Sequence, residues 1–167
     1  IFEIVREDLL KKKVPISDKV QFGIMIEVPS AALLATHLAK LVDFFSIGTN
    51  DLTQYTIAVD RTNERVAVLA SPYNPAVLTL IHMTIEAAHS EGKWVGLCGE
   101  LAGDVPAVPL LLGMGLDEFS MAPGNVPPVK EAIRKWSLDK AKVVASEALK
   151  MRHSTDVLAY LKEQKPA

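Results

Sequence analysis

Four short apolar runs punctuate the chain, and each is followed by a segment whose apolar positions recur at helical spacing. The first run, Val20 to Ile26, is almost continuously apolar; it ends on Glu27, and Pro29 stops it. The second covers residues 42–47, the third runs from Trp94 to Leu97, and the fourth from Asp117 to Met121. Unbroken rather than alternating apolar character is what strands buried on both faces of a parallel sheet require. The helical stretches carry their own punctuation. Residues 1–13 place apolar side chains at 1, 2, 4, 5, 9 and 10 among charges and end in three lysines. Ser30 is the expected cap of a helix from about Ala31 to Lys40, and Leu52 to Ala58 reads as a shorter one. Asn74 with Pro75 opens a helix with Val77, Leu78, Ile81, Ile85 and Ala88 on one face, and Gly92 stops it. Asp104 can cap the next, with an irregular first turn because Pro109 lacks an amide. Asn125 is the expected cap of a helix over 126–135, and two amphipathic helices at about 139–150 and 155–164 close the chain.

Strand then helix, four times over and without hairpin signals, predicts an α/β fold with a parallel sheet and right-handed crossovers. Four strands suit an open doubly wound sheet or half of an eight-stranded barrel. Neither a linker nor a low-complexity stretch divides the 167 residues, so one domain is expected over 1–167. The N-terminus starts without Met or a signal-peptide pattern, as if entered partway through a helix. A net charge of −2 offers no basic field, which argues against nucleic acid and anionic membranes as partners. Mean hydropathy of +0.20 comes with no apolar run near the ~20 residues of a membrane span. A single cysteine, Cys98, excludes an internal disulfide framework and suits a reducing, cytoplasmic setting.

Candidate chemistry gathers at strand ends. The run Gly48-Thr49-Asn50-Asp51 breaks an apolar strand at glycine and offers three helix-capping residues, the βα turn at which anions and metals collect. Glu27 ends the preceding strand one βα repeat earlier, so both carboxylates project from one rim. Two hard oxygen ligands, completed by waters and substrate oxygens, suit Mg²⁺ better than zinc. The plainer alternative is a satisfied loop glutamate and an ordinary helix-capping aspartate. Arg61 could fork onto a phosphate or carboxylate, or be a solvated loop arginine. Cys98, between a buried strand and a glycine, is either a small hydrophobe or a thiol poised as acid, base or nucleophile.

These residues stand in a recognisable order. Glu27 with Pro29, the run from Phe44 to Thr56, Asp60-Arg61, Cys98-Gly99-Glu100 and the stretch from Gly113 to Met121 closely resemble the C-terminal, phosphoenolpyruvate-binding domain of enzyme I. Enzyme I is the phosphoenolpyruvate-protein phosphotransferase of the bacterial sugar phosphotransferase system. Pyruvate, phosphate dikinase and phosphoenolpyruvate synthase are looser relatives, and an inactive dimerisation module is a further alternative. The resemblance implies a (β/α)₈ TIM-type barrel of which this chain holds the second half, about four βα units, plus C-terminal helices. It implies Glu27 and Asp51 as Mg²⁺ ligands. Gly48, Thr49, Asn50, Asp51 and Arg61 would bind phosphoenolpyruvate, and Cys98 would protonate its methylene carbon. It also implies further arginines from the first half of the barrel, and a histidine-containing phosphocarrier protein reached through an N-terminal domain that carries the phosphorylated histidine; neither lies in this chain. His37 follows a threonine as in the phosphohistidine motif, but its mid-helix position argues against that role. A homodimer is expected.

Overall fold

The four apolar runs become four strands. In the computed structural model, which describes residues 1–166, they are β1 (Gly23–Ile26), β2 (Phe44–Gly48), β3 (Trp94–Cys98) and β4 (Glu118–Ser120). All pair in parallel and stand side by side in sequence order. A doubly wound sheet reverses its strand order part-way, so that option falls. The registers Ile26↔Ile47↔Leu97↔Phe119 and Gly48↔Cys98↔Ser120 fix which side chains share a face.

The two faces differ. Ile26, Phe45, Ile47, Val95 and Leu97 are fully buried under helices, each worth about 1.5–3 kcal/mol of transfer free energy. Alternation by two then puts Met25, Phe44, Ser46, Trp94, Cys98, Glu118 and Ser120 on the other face. That face is open: Met25 is 43% exposed, and Glu118 and Ser120 are exposed as well. Its lower end carries a stacked pair, Phe44 on Trp94, with ring centroids 4.3 Å apart.

Helix α1 (Phe2–Lys11), with no buried residue, precedes the sheet, and α2 (Pro29–Leu33), α3 (Ala35–Leu38), α4 (Thr49–Ile57) and α5 (Pro75–Ser90) link and cover the first three strands. Helices α6 (Val108–Met114), α7 (Val126–Lys135), α8 (Leu138–Ala148) and α9 (Ser154–Glu163) complete the chain. The α6–α8 crossing is close because Gly113 has no side chain; a Cβ there would lie 2.0 Å from the Ala141 carbonyl oxygen.

Several sequence expectations need correction. The first strand starts at Gly23 rather than Val20: Phe22 still bonds Asp43, but Val20 and Gln21 extend past the start of β2. The single helix expected over 31–40 is two short helices and a 3₁₀ turn, broken at Leu34. Pro29 opens it at its first position behind Val28, so Ser30 is not the cap. Asn74 caps α5 as expected, its Oδ1 accepting the Ala76 amide at 3.0 Å. The irregular start expected before Pro109 is two 3₁₀ turns, Glu100–Gly103 and Val105–Ala107. Asp104 makes no cap bond there; it accepts the hydroxyl of buried Tyr73 instead. Asn125 precedes α7 as expected but makes no side-chain cap bond either.

Candidate functional site

The C-terminal ends of the strands form the rim on which the sequence candidates meet. Glu27 follows β1, and its side chain leans over Gly48. A Cβ built on Gly48 would sit 2.8 Å from Glu27 Cγ and 2.9 Å from its Oε1. The glycine is thus the space that the glutamate occupies. Helix α4 starts directly after Gly48, so Thr49, Asn50 and Asp51 form its first turn and make no side-chain cap bond. The reading of Asp51 as an ordinary cap is therefore wrong, and the turn's side chains are spent on tertiary contacts.

Those contacts knit two strand ends together. Buried Thr49 donates its hydroxyl to the Cys98 carbonyl at 3.3 Å, and Asn50 Oδ1 accepts the Glu100 amide at 3.2 Å. Gly99 between them has φ +120°, a conformation open in practice to glycine alone. A Cβ at Gly99 would meet Thr49 Oγ1 at 2.4 Å. Cys98 itself is half-buried and accepts a hydrogen bond at sulfur from Ser46 Oγ, 3.6 Å away.

Arg61 comes back to the same turn. Helix α4 ends at Ala58 in the left-handed conformation, and the Arg61 amide donates to Gln54 Oε1 at 3.1 Å. Its guanidinium lies 3.4 Å from Asp51 Oδ1, with the two side chains 45% and 36% exposed. At that exposure the pair adds little stability, but it orients the fork and leaves donors free for an anion. Neighbouring Asp60 braces the loop by accepting the Thr62 hydroxyl and amide, which hold its carboxyl below the usual range.

Six of the seven sequence candidates are thus linked in three contact pairs, Glu27 with Gly48, Thr49 with Cys98, and Asp51 with Arg61, while Asn50 bonds the Glu100 amide. Beside them opens a pocket of about 370 Å³ between the ends of β3 and β4. Asn50 and Cys98 line it together with Glu100, Ser120, Met121 and Asn125, four residues that the sequence reading missed. Ser46 was missed too, although a serine inside the apolar run 42–47 was its signal. A larger cavity of about 1170 Å³ lies against α1 and residues 40–43, at the opposite end of the strands, with mainly apolar walls. It is far from any of the candidate chemistry.

The donor set suits Mg²⁺. Glu27 and Asp51 are hard carboxylates, and Mg²⁺ commonly takes one or two of these and keeps its waters. No cluster of three or more His, Cys, Asp or Glu able to hold a metal occurs among the described residues, so water and substrate oxygens would complete the shell. The Gly48 space that admits Glu27 onto the rim is the structural sign of fit.

Comparison with known proteins settles the family. Residues 1–138 match the family model described as PEP-utilising enzyme, PEP-binding domain. The chain belongs to this family. Among curated relatives, the phosphoenolpyruvate-protein phosphotransferase of Bacillus subtilis (strain 168) is 53% identical over 158 residues, 95% of this chain and 28% of the relative. The protein of the same name from Enterococcus faecalis is 55% identical over 150 residues, 90% of this chain and 26% of the relative. That from Geobacillus stearothermophilus is 50% identical over 157 residues, 94% and 27%. The chain therefore spans little more than a quarter of the curated relatives it matches. No helix among the described residues is long and apolar enough to cross a membrane.

Proposed function

We propose that the chain is the C-terminal part of a cytoplasmic phosphoenolpyruvate-protein phosphotransferase, that it forms the second half of a (β/α)₈ barrel, and that its rim binds phosphoenolpyruvate. Parallel strands in sequence order with helices on one face support the barrel. Its missing strands would cover the open face. The observation that carries the functional reading is the bond between Thr49 and the Cys98 carbonyl, which holds the thiol's strand end against the anion-binding helix start.

Each residue then has a task. Amides at the start of α4 and the Arg61 fork hold the phosphate and carboxylate oxygens, with Asn50 beside them. Glu27 and Asp51 would hold Mg²⁺, which would supply positive charge to offset that of the phosphate and the enolate oxygen. As the phosphoryl group passes to a protein histidine, the P–O bond electrons remain on the enolate oxygen. Cys98 gives its thiol proton to the methylene carbon, yielding pyruvate and a thiolate that solvent reprotonates. Ser46, donating to the sulfur, steadies that thiolate. The acceptor histidine belongs to another domain: His37 sits on α3, His82 and His89 on α5, and His153 just before α9. Onward transfer goes to a histidine-containing phosphocarrier protein, and the protein works as a homodimer.

The test is calorimetric titration of phosphoenolpyruvate with Mg²⁺ into the full-length protein and its Glu27→Ala and Asp51→Ala variants. The wild type binds and turns over substrate, whereas both variants lose Mg²⁺-dependent turnover and keep their circular dichroism. Full activity in either variant would sink the paired-ligand reading.

A further inference from the structure

The rim divides along the strand order. Glu27, Asp51 and Arg61 stand at the β1 and β2 ends, and the 370 Å³ pocket opens past Cys98 at the β3 and β4 ends. Asn50 and Cys98 lie on the boundary and line the pocket. Much of the remaining wall is small or apolar: Gly99, Gly103, Met121 and Ala122. Glu100 also lines it, and its carboxylate repels the phosphate and carboxylate of an anionic substrate. A substrate carrying its anions at one end and an uncharged carbon at the other has one favourable orientation across this boundary. Its oxygens face Arg61 and the amides at the start of α4, on the side where Glu27 and Asp51 would hold a cation, and its carbon end faces the pocket.

We propose that this pocket is a subsite for the carbon end of the substrate, and that Ser120 and Ala122 determine which substituents on that carbon are admitted. The inference rests on the reading of the rim as a phosphoenolpyruvate site. It goes further in assigning substrate specificity to residues that stand past Cys98 from Glu27, Asp51 and Arg61. Ser120 is the cross-strand partner of Cys98, so its side chain stands beside the thiol on the same face. A serine there leaves room for more than a methylene, and a bulkier residue would take that room.

The two geometric isomers of 3-methyl-phosphoenolpyruvate, tested separately on the full-length protein with Mg²⁺ and the phosphocarrier protein, decide the matter. The wild type turns over at least one isomer. Ser120→Leu lowers kcat/KM for that isomer, relative to phosphoenolpyruvate, by about tenfold or more, the scale of discrimination that a methyl-sized clash gives. Ser120→Ala leaves the ratio within about twofold, since it removes no space. Ala122→Leu narrows the pocket from another position, lowers the ratio in the same direction and stands in if Ser120→Leu does not fold. Rejection of both isomers by a wild type that uses phosphoenolpyruvate would overturn the proposal, as would a ratio unmoved by either leucine. A wild type that fails to turn over phosphoenolpyruvate itself would count against the underlying site instead.

Discussion

Gly99→Ala probes the joint on which the site depends. Its φ of +120° and ψ of 177° lie where a side chain costs about 1–3 kcal/mol. The new Cβ would also sit 2.4 Å from Thr49 Oγ1 and 3.1 Å from Asn50 Oδ1, so Thr49 must move and lose its bond to the Cys98 carbonyl. Losing that bond costs about 1 kcal/mol more. Alanine stiffens the unfolded chain and returns about 0.4–1 kcal/mol. The net expectation is a loss of about 1–3.5 kcal/mol. Gly92→Ala is the control: it too has positive φ (+67°), but nothing lies within 4 Å of its Cβ. There only the left-handed penalty of about 1–2 kcal/mol applies, less the same unfolded-state gain. Urea unfolding of both variants at one protein concentration reads the two losses. Calorimetry on the full-length protein should show weakened phosphoenolpyruvate binding for Gly99→Ala alone. If Gly99→Ala were no less stable than Gly92→Ala and bound normally, the coupling of Cys98 to the start of α4 would be refuted.

Cys98→Ala in the full-length protein should still bind phosphoenolpyruvate but lose most turnover and most solvent-hydrogen exchange into the methyl group of pyruvate; undiminished exchange removes the thiol from the mechanism. Burial, followed by the bond to Asp104, pushes the Tyr73 hydroxyl well above its ordinary value near 10. The folded chain then keeps a proton that the unfolded chain gives up, so this stability is complete below about pH 10 and drains away above it. Tyr73→Phe should remove that alkaline decline, as pH-dependent urea midpoints would report, and an unchanged decline would contradict the pairing. The isolated chain should self-associate through its open face, where Met25 is 43% exposed. Light scattering across a dilution series checks this, and a monomer at micromolar concentration would be the contrary result.

Much of the architecture was written in the sequence because it depends on local patterns. Continuous apolar runs mark strands covered on the helix side, and Asn74-Pro75 marks a helix start whose cap bond needs only its own neighbours. The candidate residues of the rim stood out because Gly48 to Asp51 and Cys98-Gly99 interrupt those runs with chemistry a core would not choose. The cap assignments that failed have two causes. Ser30 lost its place to a proline, while Asp51, Asp104 and Asn125 sat near helix starts without capping them. A side-chain oxygen takes the best donor within reach, and for Asp104 that donor is the Tyr73 hydroxyl from a distant part of the chain. Spacing along the chain carries no record of such a partner. Strand order, the open face and the pocket beyond Cys98 likewise arise only when β3 and β4 are brought side by side, because register sets which side chains meet across strands.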